Sequence, residues 1–228
     1  MNLLDTVLNF IFPPTCGFCD KMGEGYLCQE CKQKIANSNI YFNQLDFYQN
    51  EDTFIDEHFY LFSYTEPIRE KILQYKFEDK AYLSNTIYEF FMNNEKLYGF
   101  LKKYDIIIPI PISLSRKRER GYNQSELLAR KVSKMAGISI EMQVLKKAKN
   151  NQPQSSLNKE QRRENVKNVY KVQNELKIQN KKILLLDDIY TTGSTANECA
   201  RVLKVAGSQT VGILTIASDL EKYQKRKE

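Results

Sequence analysis

The chain has 228 residues, enough for one good core or one domain with a small appendage. Apolar residues make up 42% and charged residues 27%, which is ordinary for a globular protein, and no stretch approaches the ~20 apolar residues of a membrane span. The formal net charge of +6 fits contact with phosphates on a small ligand or a nucleic acid, and a lysine-rich surface accounts for it equally well.

Leu3, Leu4, Val7, Leu8 and Ile11 recur at helical spacing and predict a short docking helix. Asp5 and the lack of a basic leader or a small-residue cleavage site argue against a signal peptide, so a cytoplasmic location is expected. Cys16-x2-Cys19 and Cys28-x2-Cys31 follow, two close pairs eight residues apart. Each pair can grip one metal from a tight turn, with Gly17 and Gly23 or Gly25 easing the reversals. Four thiolates in tetrahedral array make a structural zinc site with no open position for catalysis. Two disulfides or an iron–sulfur site are the alternatives, and no secretory route favours disulfides. The predicted organisation is a helix and zinc domain at 1–36, a polar connection at 37–57, and one larger domain at 58–228.

Alternating aromatics predict a strand over His58–Tyr64, and apolar spacing predicts helices over Pro67–Phe77 and Tyr82–Leu101. Asp105–Ile110 reads as a buried strand. A basic loop with Arg116, Lys117, Arg118 and Arg120 comes next, then a helix over Asn123–Met135 closed by Gly137. Ile138–Leu145 reads as strand and Lys159–Val166 as a helical turn in a polar, basic segment that carries Arg162 and Arg163. Val169–Val172 and Thr210–Ala217 read as strands, and Leu220–Glu228 as a charged tail. Strands alternating with helices give an α/β class with a mostly parallel sheet.

The run from Ile183 to Thr195 is the most telling. Ile183–Leu186 reads as a strand buried on both faces, with Asp187 and Asp188 at its C-terminal end. Tyr190, Thr191, Thr192, Gly193, Ser194 and Thr195 then lead into a helix over Thr195–Ala206. In an open parallel sheet, ligands bind outside the carboxyl ends of the strands. A small-residue loop at a helix N-terminus offers N–H groups and hydroxyls to a phosphate, whereas carboxylates suit sugar hydroxyls. The combination points to a ribose phosphate. Arginine forks at Arg116, Arg118 and Arg120 suit a pyrophosphate, and a solvated basic loop is the alternative. Cys199, inside the helix, reads as a small buried hydrophobe. The sole histidine, His58, reads as a core residue, which argues against Ser-His-Asp or histidine–metal chemistry.

Taken together, the four cysteines, Pro109-Ile110-Pro111, Arg118-x-Arg120-Gly121-Tyr122-Asn123-Gln124, Gln154-x2-Leu157, Arg162-x2-Asn165-Val166 and the Asp187-Asp188 loop resemble the ComF family of bacterial phosphoribosyltransferase-like proteins. Ser113 and Leu114 stand where that family often has His and Pro. The resemblance covers nearly the whole chain and implies a type I phosphoribosyltransferase core that binds phosphoribosyl pyrophosphate with magnesium. It also implies a role in natural transformation, with single-stranded DNA and a competence helicase as partners at the inner face of the membrane. Asp187 and Asp188 would then hold the ribose hydroxyls, and residues 191–195 the 5-phosphate. Two function classes stay open: an enzyme transferring a phosphoribosyl group, and a non-catalytic module that senses the ligand or binds single-stranded DNA.

Overall fold

A computed structural model describes residues 13–36, 45–46, 53–78, 80–92, 94–149 and 158–219. The expected docking helix at Leu3–Ile11, the Gln154-x2-Leu157 segment and the charged tail lie outside these residues. The described elements begin with α1 (Gln29–Ala36), β1 (Leu45–Asp46), β2 (Glu57–Ser63), α2 (Ile68–Phe77), α3 (Leu83–Met92) and α4 (Glu95–Leu101). They continue with β3 (Ile106–Pro109), α5 (Leu114–Arg120), α6 (Gln124–Ala136), β4 (Ser139–Ile140) and β5 (Leu145–Lys147). The remainder are α7 (Lys159–Val166), β6 (Tyr170–Val172), β7 (Lys182–Tyr190), α8 (Ser194–Val205) and β8 (Thr210–Ser218).

Six strands form one sheet in the order β1-β2-β8-β7-β3-β4, parallel except for the β1–β2 edge. β5 and β6 pair antiparallel in a separate ribbon. The mostly parallel α/β architecture expected from the alternating pattern is therefore present. Strand side chains alternate between two apolar layers, as the pleat requires. Leu184, Leu186, Ile107 and Leu214 pack with α2, α3, α4 and α6 on one face. Ile183, Leu185, Ile106 and Ile213 pack with α8 and the β5–β6 ribbon on the other. Each such side chain, fully buried, contributes about 1.5–3 kcal/mol.

Three expectations shift. The helix expected over Tyr82–Leu101 is two helices, because Asn94 is extended and its side chain accepts from Leu97 N–H, starting α4. The strand expected over Ile138–Leu145 is split into β4 and β5. The basic loop after β3 is helical: Ser113 caps α5 and Gly121, at φ 72°, ends it. None of α5's side chains is buried, so no apolar period announces it.

The strand carrying the acids also runs on to Tyr190. β3 pairs with β7 only as far as Pro109↔Leu186, whereas β8 continues alongside through Asp187↔Thr215, Ile189↔Ala217 and Tyr190↔Ser218. The acids therefore stand within a strand whose β3 side has just been vacated.

Candidate functional site

That overhang forms the floor of a cleft of ≈ 630 Å³ at the carboxyl end of the sheet. Tyr64, just past β2, Ile110–Ile112, just past β3, and the run 187–196 all line it. Parallel strands bring these ends to the same edge of the sheet, at the usual ligand crevice of such folds.

Asp187 accepts a hydrogen bond from Ser125 Oγ at 3.0 Å and one from the Asp188 N–H at 2.9 Å. Burial first, then the neighbouring Asp188 charge, pushes its carboxyl up to about 7. Asp188 is buried and ion-paired with Lys76 Nζ at 2.8 Å.

After β7, the chain turns through Gly193 at φ 71° and enters α8. An added Cβ at Gly193 would lie 2.1 Å from Tyr190 Oη, so only glycine fits the turn over the tyrosine ring. Thr192 Oγ1 and Ser194 Oγ are 2.9 Å apart, and Thr191 and Thr195 line the cleft beside them. The first N–H groups of α8 thus sit at the cleft with hydroxyls around them, an arrangement that suits a phosphate. Tyr190 itself is only 6% exposed and its ring lies 4.5 Å from the His58 ring, so it supports the loop from beneath. His58 is fully buried in β2, 2.8 Å from Thr215 Oγ1, and burial holds its imidazole down at about 3, neutral, as the core reading expected. Cys199 is likewise fully buried in α8.

Arg116 and Arg120 line the cleft, while Arg118 is exposed and does not. Arg120 Nη1 donates to Gln124 Oε1 at 3.2 Å, its guanidinium lies 4.6 Å from the Phe77 ring centroid, and its Nε is buried without a hydrogen-bond partner. Three cations outside the sequence-derived site also line the cleft: Arg69 and Lys76 from α2, and Lys147 from β5. Burial and then Arg116 pull the Lys147 ammonium down to about 8. Arg162, from α7, lines the cleft too. No motif singles out Lys76 or Lys147. They reach the site through the docking of α2 and of the β5–β6 ribbon.

The four cysteines of the pairs meet in a second cluster, their Sγ atoms all within 4.8 Å of one another, and none forms a disulfide. A tetrahedron with Zn–S bonds of 2.3 Å has edges of about 3.8 Å. The Cys19–Cys28 separation of 3.6 Å and the Cys28 N–H donated to Cys16 Sγ at 3.4 Å fit such a thiolate nest. The cluster suits a structural zinc ion. Gly17 lies in the turn closed by the Asp20 N–H on the Cys16 carbonyl, and it also touches the rest of the fold: a Cβ there would lie 2.4 Å from Thr86 Oγ1, which donates to the Tyr26 carbonyl at 2.8 Å.

Comparison with known proteins finds matches in both regions of the chain. Residues 119–228 match the phosphoribosyl transferase domain and residues 7–40 the double zinc ribbon domain. The chain is 30% identical over 160 residues to Competence protein F of Haemophilus influenzae, covering 68% of this chain and 69% of that one. It is 29% identical over 161 residues to DNA utilization protein YhgH of Salmonella typhimurium, covering 69% and 70%. It is 32% identical over 151 residues to Competence protein ComFC of Streptococcus pneumoniae, covering 66% and 63%. A zinc ribbon ahead of a phosphoribosyltransferase-like sheet, with identity of this extent to competence proteins, places the chain in the ComF family.

Proposed function

We propose that this chain binds phosphoribosyl pyrophosphate in the cleft and acts as a phosphoribosyltransferase in the handling of DNA during natural transformation. One observation carries the reading: an acid pair, a Gly193-centred loop at a helix N-terminus, and the cations Arg116, Arg120 and Lys147 share one cleft. The loop 191–195 would receive the 5-phosphate, Asp187 and Asp188 the ribose hydroxyls, and the arginines the diphosphate. An acceptor would form a bond to the anomeric carbon as the bond to pyrophosphate breaks, through an oxocarbenium-like transition state. Catalysis would then come from positioning and from neutralising the departing diphosphate. The names of the relatives, competence and DNA utilization, support the DNA-handling part. No described helix is long and apolar enough to cross a membrane. We place the protein in the cytoplasm, peripheral to the inner face of the membrane.

Magnesium, which the resemblance implies, fits poorly as an ion held by the acids. Asp188 is already paired with Lys76, and Asp187 with Ser125 and a backbone N–H. Any divalent ion would have to arrive on the diphosphate.

A second reading has its own support. Among the described residues the cleft offers no histidine, and its acids are Glu119, Asp187 and Asp188, a thin set for activating an acceptor. In this reading the site senses the ligand without turnover, and the protein serves as a single-stranded-DNA-binding adaptor for a competence helicase. A pyrophosphate-release assay with candidate acceptors, run beside calorimetry with phosphoribosyl pyrophosphate, separates the two. Release supports the enzyme, binding without release under any acceptor supports the sensor, and no binding refutes both.

A further inference from the structure

A hydrogen-bonded junction beside the cleft converges on the backbone around Lys76. Gln124, 1% exposed, donates from Nε2 to the Tyr75 carbonyl at 3.3 Å and the Lys76 carbonyl at 3.4 Å. Tyr122 Oη donates to the Tyr75 carbonyl at 2.6 Å, and Tyr75 Oη donates back to the Gln124 carbonyl at 3.0 Å. Arg120 in turn holds Gln124 Oε1. The last turn of α2 is thus fixed to the α5–α6 junction, and the Lys76 side chain starts from immobilised backbone.

Its ammonium reaches Asp188 Oδ1 at 2.8 Å, with the two side chains 18% and 10% exposed. Two adjacent carboxylates at a strand end are the kind of oxygen donors that a hard divalent ion takes. Here the position in front of Asp188 is filled by a lysine. An ammonium has three donors, so after meeting Asp188 it retains protons for ligand oxygens. It supplies positive charge without having to shed a hydration shell, as magnesium must.

We propose that Lys76 is the built-in cation of the acid pair: it excludes a divalent ion from Asp188, so that ribose phosphates bind there without metal. This rests on the cleft being a ribose-phosphate site. Lys76 acts through Asp188 as a positioning residue, and the Gln124–Tyr122–Tyr75 junction exists to place it.

The test uses zinc-loaded protein in buffer freed of magnesium by an ion-exchange resin. Magnesium alone, and ribose 5-phosphate with and without millimolar magnesium, are titrated calorimetrically into wild type, Lys76→Met and Lys76→Arg. Wild type and Lys76→Arg are expected to take up no magnesium at the acids and to bind ribose 5-phosphate equally with and without it. Lys76→Met is expected to gain magnesium uptake that a further Asp188→Asn change abolishes. Without magnesium its ribose 5-phosphate affinity falls by about thirtyfold, because a buried carboxylate has lost its partner, and magnesium restores most of the loss. Wild-type ribose 5-phosphate binding that requires magnesium overturns the proposal, as does Lys76→Met binding equal to wild type without it. If wild type binds no ribose 5-phosphate in either buffer, the ribose-phosphate reading of the cleft fails. The magnesium titration of Lys76→Met still decides whether the lysine excludes metal. Lys76→Gln, which keeps a polar side chain, replaces Lys76→Met should the latter not fold.

Discussion

The cysteine cluster and the cleft are built by opposite means. The cluster draws four ligands from one short stretch, Cys16 to Cys31, and turns them on one another. The cleft draws Lys76 from α2, Arg116 from α5, Lys147 from β5 and its acids from β7, elements far apart in sequence. The cluster is closed once its ion is bound, because four thiolates complete the coordination. The cleft carries charge awaiting a partner: among the described residues neither Arg116 nor Lys147 is ion-paired, and burial together with the nearby Arg116 weakens Lys147's hold on its proton. Local spacing writes a metal site into a sequence, whereas a cation-lined cleft of this kind is written mainly by topology.

The contrast predicts where damage should spread. Cys28→Ser should have the largest effect, since about 10 kcal/mol of zinc binding is folding energy for such a nest. Zinc content should fall to near zero and amides of residues 13–36 should lose exchange protection, while those of β7 and β8 keep theirs. Collapse of the whole sheet would show that the two regions are one folding unit. Gly193→Ala comes next, at about 3 kcal/mol, from a positive φ and a Cβ driven into Tyr190. It should lower the melting temperature and weaken phosphate binding, and calorimetry with inorganic phosphate that shows no change would remove the loop from the site. Asp188→Asn should cost about 2 kcal/mol of ribose 5-phosphate affinity with little change in melting. Unchanged affinity would detach the acid pair from the ligand.

The smallest effect is one of pH. The Asp187 carboxyl stands near 7 when folded, above its ordinary value near 4. Between these values the folded chain holds a proton that the unfolded chain has lost, so stability declines as pH rises through that window and levels off above it. Asp187→Asn should flatten this part of the profile of melting temperature against pH. An unchanged slope would assign it to other groups.

How far the sequence reveals the molecule depends on whether a feature is local. The strand and glycine loop at 183–195 were legible because a both-faces-buried strand, two acids and a glycine turn fall in one run. α6 was legible at both ends, through the Asn123 cap and Gly137 at φ 68°. So was α7, whose Asn158 and Gln161 form a reciprocal cap. α5 was not, since Leu114 is its sole apolar residue and points to solvent at 74% exposure. The break between α3 and α4 was written only in Asn94, which an apolar period running past it overrides. Lys76 and Lys147 were invisible, because nothing near them in sequence says which carboxylate or arginine they will meet. Tyr190 was read as a ligand contact from its place in the run; it lines the cleft, and its ring also packs against His58 beneath the loop.

One feature of the sheet bears on how such proteins diversify. β7 outruns β3, and the cleft opens where the shorter strand stops at Pro109. The room available to a ligand is therefore a difference between two strand lengths. A two-residue extension of β3 would wall off the acids while every side chain that faces the ligand stayed the same. A shortening would enlarge the chamber just as simply. Descendants of one ancestor can thus reshape the cleft by sliding a single strand end, with the acid pair and the Gly193 turn held constant.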